Sequence, residues 1–280
     1  MHHKNIFLLF VLSILFFSCD LEKEVDIDLP DYESRLIVEC YLEPDEPFTL
    51  LITRSSAYFD PFPSDNNQFL QNLLVNDAEV TITHQNVVYE LENQLTFNGN
   101  TNKLFNYSAT HPVPEDYEND FKLNITTAEG ETITATTRIL RPIPIDSVVV
   151  EFNDTDTLAR VLTYFTDLPN EDNYFRRMLH RASLDSIPVQ DFTTDDRIIE
   201  DVVVFGSLYD FEEGERVINT LYHIDEAYYN FVESLRIAVN SNGNPFGQPS
   251  PIISNLEGTA NAIGVFTGLS YDRVVTVIEQ

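Results

Sequence analysis

From residue 35 to the C-terminus the chain is a succession of short runs rich in β-branched and aromatic residues, cut by turn formers. That pattern admits little besides a mainly β fold. "RLIVECYLE" and "PFTLLITRSS" come first. "AEVTITHQ" and "VVYELEN" follow, separated by a short turn near Asn86, and "DFKLNITTAEGETITATTRIL" reads as a second hairpin turning at Glu129-Gly130. About seven strands of this kind predict a β-sandwich of immunoglobulin or fibronectin III type over residues 34–141. Between two of them lies a long polar and aromatic loop, "AYFDPFPSDNNQFLQN".

Pro142 and Pro144 in "RPIPIDS" mark a domain boundary. Beyond it the strand pattern restarts with "SVVVEFN", "RVLTYFTDLP", "RIIEDVVVFGSLYDF", "GERVINTLYHI" and "GVFTGLSYDRVVTVIEQ". "NYFRRMLHRAS" fits a strand or a short helix equally well. Residues 145–280 are therefore expected to form a second β-sandwich domain with one inserted helix over 225–241. Asp225 is its N-cap, and Tyr228, Phe231, Val232, Leu235 and Val239 fall on one face. Gly243 and Pro245 end it. Hydrophobic residues make up 43% of the chain and aromatics 12%, enough apolar material to offset chain entropy, so the segment is folded rather than disordered.

The first residues follow a different logic. His2, His3 and Lys4 precede "IFLLFVLSILFF", apolar except for Ser13. Twelve helical residues cover about 18 Å, short of the roughly 30 Å hydrocarbon core, so this run does not span a membrane. It has the length of a signal-peptide apolar region and lacks the polar stripe of a core helix. The residues before Cys19 are bulky, "LFFS", with the small Ser18 directly preceding it. This resembles a lipobox, at which a signal peptidase cuts between Ser18 and a cysteine already carrying diacylglycerol; Phe16 stands where the motif usually has Leu. Residues 1–18 are thus expected to be a signal peptide, Cys19 the lipidated first residue, and 19–33 an acidic tether. Two acyl chains anchor stably where one holds only marginally. The remaining cysteine, Cys40, is expected to be free and buried; the alternative is a Cys19–Cys40 disulfide.

Charge narrows the partners. The chain has 16 Lys and Arg against 46 Asp and Glu, a formal net charge of −30. Such a surface repels nucleic acid, whose binding rests on Lys and Arg. The acidity serves solubility or, alternatively, capture of cations or docking onto a basic partner.

The chain carries few residue patterns that point to chemistry. With one free thiol no cysteine-pair metal site exists, and His84, His111, His180 and His223 are isolated. "GLSYD" lacks the second glycine of a nucleophile elbow, and no phosphate-binding glycine loop occurs. "NDTDT" (153–157), "DLPNEDN" (167–173) and "TTDDR" (193–197) offer oxygen ligands without calcium-loop spacing, so they read as turns, with calcium a weak alternative. No catalytic or metal-binding residue is assigned and no cofactor is expected. The chain is read as non-enzymatic, with a glycan hydrolase using paired carboxylates as the alternative. Contact candidates are the aromatics Tyr58, Phe59, Phe62 and Phe69 of the long loop and Phe246 of "NPFGQPSPIISNLEG".

Taken in order, the lipobox, the acidic tether, "RLIVECYL", "VNDAEVTI", "DDRIIED", "EGERVINTLYHIDEAYYNFVESL", "NPFGQPSPIISNLEG" and "GVFTGLS" resemble a family of Bacteroidetes outer-membrane lipoproteins of unknown function. Members are often encoded beside SusC-like TonB-dependent receptors. The resemblance implies a lipid-anchored accessory or ligand-binding partner of such a transporter. The family places a glycine pair before Gly-Val-Phe, where this chain has "ANAIGVF". Asp20, Glu22, Lys23 and Glu24 resemble the charged signal that sends lipoproteins of that phylum to the cell surface. The expected location is the outer membrane facing outward, with the periplasmic face as the alternative.

Overall fold

The computed structural model describes residues 33–56, 65–98, 103–155, 157–169, 171–197, 202–241 and 250–280. Strand alternation dictates its first half. β1 (Leu36–Leu42) buries every second residue, with Leu36, Val38, Cys40 and Leu42 inward and Ile37, Glu39 and Tyr41 outward. Each fully buried aliphatic side chain contributes about 1.5–3 kcal/mol. β2 (Pro47–Arg54) pairs antiparallel to β1. β3 (Glu79–His84) and β4 (Val87–Asn98) form the first expected hairpin, with Gln85 in the left-handed region. β5 (Lys103–Pro112) follows. β6 (Phe121–Thr126) and β7 (Thr132–Thr137) form the second hairpin, turning where Gly130 takes a φ of 83°.

β4 joins two layers. Its first residues pair with β3 and its last with β5, the register shifting between Asn93 and Thr96. One layer runs β7-β6-β3-β4 and the other β4-β5-β2-β1. Between them lies a core that includes Val38, Phe48, Leu50, Ile82, Phe121, Ile125 and Ile133.

The second half builds another pair of layers. β8 (Ser147–Phe152), β9 (Ala159–Thr166) and β12 (Val202–Gly206) form a three-stranded sheet in the order β12-β9-β8. β10 (Tyr174–Arg181), β11 (Gln190–Asp195), β13 (Arg216–Ile224) and β16 (Ser270–Val277) form a four-stranded sheet in the order β11-β10-β13-β16. Phe165 and Phe205 of the first sheet meet Phe175 and Leu221 of the second. Strand alternation thus resolves "NYFRRMLHRAS" as a strand, with Phe175, Arg177 and Leu179 inward.

Three details depart from the sequence reading. The loop expected over 57–72 contains a helix, α1 (Asn66–Leu73). The first sandwich is completed from beyond the proline boundary: β15 (Ile263–Gly268) runs parallel to β1, and the two-residue β14 (Glu257–Gly258) pairs with β7. Residues 34–280 accordingly form one compact unit. The apolar stripe of α2 (Glu226–Ser241) is buried only in its first half: Tyr228 and Phe231 are covered, whereas Leu235 and Val239 are exposed. The cap is as expected, with the Tyr228 N–H donating to Asp225 Oδ1 at 2.7 Å and the Thr137 hydroxyl to Oδ2 at 2.9 Å. Gly243 and Pro245 lie outside the described residues.

Candidate functional site

Cys19, Ser18, Asp20, Glu22, Lys23, Glu24, Tyr58, Phe59, Phe62 and Phe246 all lie outside the described residues. The histidines are separate: His84 and His223 are buried in hydrogen bonds, His180 is buried on β10, and His111 is exposed at the end of β5. The acidic stretches behave as turns and strand ends. Asn153 accepts from the Thr155 N–H, Asn173 threads its amide into the turn after β9, and Asp195 pairs with Arg197. Among the described residues no group of three or more His, Cys, Asp or Glu side chains could hold a metal ion. Cys40 is free and wholly buried, and desolvation pushes its thiol pKa far up, which makes it inert.

What the fold does assemble is a tyrosine-rich face. The outward residues of β1, β10, β13 and β16 share it with the first turns of α2. Tyr41 meets Tyr228 edge-on with ring centroids 6.0 Å apart, and its hydroxyl donates to Glu39 at 3.0 Å. Lys103 lies 4.0 Å above the Tyr41 ring. Arg176 grips Asp191 with two bonds of 2.8 and 2.6 Å and also donates to the Tyr228 hydroxyl. Tyr222 and Tyr271 stand opposite one another on neighbouring strands, ring centroids 5.3 Å apart. Arg273 stacks over Tyr271 at 4.2 Å and donates to the buried Thr220 hydroxyl at 2.9 Å. Tyr174 and Tyr229 extend the face, with centroids 4.9 Å apart.

The electrostatics follow from partial desolvation. Burial raises the carboxyl of Glu43, the neighbouring Glu46 charge adds to the rise, and Arg273 and Lys103 oppose it. Burial also lowers the Lys103 ammonium. The Tyr222 phenol is pushed up to about 12, chiefly by burial and then by Glu43. The Tyr222 phenol is therefore a neutral donor at physiological pH. Three carboxylates of the face are engaged by cations or phenols: Glu39 by Tyr41 and Lys103, Asp191 by Arg176, and Asp195 by Arg197 and Tyr229. Such a surface suits recognition, because Tyr and Arg supply large, partly rigid contact area with polar ends.

A second feature is an open recess of about 300 Å³ lined by Glu226, Ala227, Asn230, Ile253, Ser254 and Asn255. Polar groups of its floor are already committed to the fold. The Asn255 amide accepts from the Phe266 N–H at 3.1 Å and donates to its carbonyl at 2.7 Å, while Ser254 donates to the Gly264 carbonyl at 2.8 Å. These contacts cover the outer edge of β15, which would otherwise expose unpaired backbone. Much of "SNLEG" (Ser254 to Gly258) is therefore edge protection. Gly258 belongs to it as well: at φ 139° an added Cβ would sit 2.0 Å from the Thr132 carbonyl oxygen.

Sequence reading missed the tyrosine face because its members come from stretches far apart in the chain. The one available signal was local. Tyr222 and Tyr271 occupy outward strand positions where alternation calls for polar residues.

Comparisons with known proteins add a family and little else. No curated protein matches the chain. Two solved chains titled "Cytokine receptor complex" match at 9% and 10% identity. The first covers 87% of this chain and 97% of its own, the second 69% and 93%, with TM-scores of 0.28 and 0.27. A pullulanase from Anoxybacillus sp. LM18-11, complexed with maltotriose, matches at 11% identity over 66% of this chain and 24% of its own, with a TM-score of 0.20. Likeness at this level carries no argument about function. The family assignment is firmer: residues 22–274 match the family described as "Domain of unknown function (DUF4249)", and the chain belongs to that family.

Proposed function

We propose that this protein is a lipid-anchored outer-membrane lipoprotein, facing outward, that acts by binding as a non-enzymatic accessory of a TonB-dependent transporter. The observation that carries the reading is Cys19, which follows Ser18 and an apolar run too short to span a bilayer. The half-buried Tyr41, Arg176, Tyr222, Tyr271 and Arg273, backed by the buried Tyr228, support the binding role. Glu39, Asp191 and Asp195 are tied to cations and phenols, which favours contact over acid–base chemistry.

Purification of the lipidated chain from its native membranes in mild detergent is expected to recover a large β-barrel protein with it. Tyr271→Ala with Arg273→Ala is expected to reduce that recovery at least tenfold, the scale of losing one interface anchor of about 2 kcal/mol. A monomer in every preparation, or undiminished recovery with the double variant, contradicts the binding reading.

A further inference from the structure

His223 is the last but one residue of β13 and is 5% exposed. Both ring nitrogens face oxygen. Nδ1 lies 2.8 Å from the main-chain carbonyl of Arg141, in the segment joining the two strand sets, and a peptide carbonyl can only accept. Nε2 lies 3.1 Å from Asn173 Oδ1. The Asn173 amide is held in that orientation because its Nδ2 donates to the Leu168 carbonyl, the Glu171 carbonyl and Asp196 Oδ2 at 3.0, 3.1 and 3.2 Å. Reversing it would set its own oxygen against three acceptors. A neutral imidazole has one N–H and would leave two lone pairs facing each other.

The charged surroundings agree. Asp167 and Glu171 come from the turn after β9, and Asp196 from the residue after β11, all close enough to favour a charged ring. Asp167 Oδ1 is buried with no hydrogen-bond partner, and burial, then the Asp196 charge, raises its carboxyl. Phe175 of β10 stacks on the ring at 5.9 Å, and Ser270 is the paired residue on β16.

We propose that folded His223 carries a proton on both ring nitrogens and forms a pH-sensitive clasp tying the Arg141 segment to the acidic turn of Asp167, Leu168 and Glu171. Burial acts against that charge and, set against the Arg141 carbonyl and the three carboxylates, leaves the ring below its ordinary value. On this proposal the Asn173 carbonyl, 3.1 Å from Nε2 and able only to accept, is the further contact that favours the doubly protonated ring over burial. The sign then follows. A ring whose folded pKa exceeds the unfolded value of about 6.5 stabilises the fold fully below that pH, and the contribution is lost as pH rises through the folded value. Were burial to prevail, stability would instead be lost as pH falls.

The test is nitrogen NMR of the full chain in detergent micelles with labelled histidine, His223→Gln identifying the resonance. Both ring nitrogens are expected to be of N–H type at about pH 7 and to lose a proton only above it. A single neutral tautomer at that pH overturns the proposal. Asn173→Ala provides an assignment that does not depend on His223→Gln folding: removing the acceptor should return this ring to a neutral tautomer. If the ring stays doubly protonated in Asn173→Ala, the clasp as described is wrong.

Discussion

Gly264→Ala is expected to cost roughly 3–5 kcal/mol, much of the stability of an ordinary domain. Gly264 has a φ of 142°, and a Cβ there would sit 1.8 Å from the Val38 carbonyl oxygen and 2.7 Å from its carbon. Val38 is its register partner in the parallel pairing of β1 with β15, and Val38 itself is wholly buried. Neither strand can give way without uncovering core. Backbone strain of about 1–3 kcal/mol adds to overpacking of about 1–3 kcal/mol. Gly214→Ala is the control. It has a φ of 86° but open space around the added carbon, so it should cost only about 1 kcal/mol. Denaturant unfolding reads both variants. A Gly264→Ala midpoint no lower than that of Gly214→Ala would contradict the role assigned to the β1–β15 seam.

Asn106→Leu is expected to cost about 2–5 kcal/mol through unsatisfied backbone rather than lost volume. Asn106 is 1% exposed on β5, just where β2 stops pairing with β5 and turns toward Leu74 and Val75. Its side chain fills the gap as a short piece of strand would. Oδ1 accepts from the Ile52 N–H at 2.8 Å, and Nδ2 donates to the Ile52 and Val75 carbonyls at 3.1 and 2.7 Å. Leucine keeps the shape but orphans a buried donor and a buried acceptor. Asn106→Asp should be worse than leucine, because it keeps the acceptor for Ile52 and turns a donor into a negative oxygen against two carbonyls. Denaturant midpoints in the order wild type, leucine, aspartate support this account. An aspartate variant as stable as wild type would refute it.

These two residues also show what could be read before folding and what could not. Alternation in "RLIVECYLE" and "DFKLNITTAEGETITATTRIL" was legible because burial repeats every second residue, and the pattern fixed β1, β6 and β7 with their inward faces. Asp225 was legible because a cap is local. Asn106 was not, since a buried asparagine inside "KLFNYSATHP" resembles any polar strand residue until its partners 31 and 54 positions away are known. β15 was read as a strand of the second half, yet it completes the first sandwich, because a parallel partner is set by tertiary packing rather than by periodicity. The tyrosine face failed for the same reason as Asn106. Residues 39–43, 103, 174–176, 191, 220–222, 228–229 and 271–273 converge only through pairing across β13 and the seating of α2.

The buried Arg177 marks a further limit of sequence reading. It is wholly covered between the two sheets of the second half, with Asn219, Gln190, Thr163 and the Val161 carbonyl as its acceptors. Desolvation pulls its pKa down to about 10, still charged at neutral pH. In "FRRMLHR" nothing separates it from Arg176, which stands on the opposite face and belongs to the tyrosine surface.

The proposed place beside an outer-membrane transporter requires the proposed lipid anchor at Cys19, since an untethered chain would not be held at that membrane. Labelled palmitate supplied to cells producing the full chain tests it directly. Wild type is expected to take up label and to sediment with membranes, and Cys19→Ala to lose both while Cys40→Ala keeps both. Labelling unchanged in Cys19→Ala, or absent from wild type, would contradict the proposed anchoring and the location that follows from it.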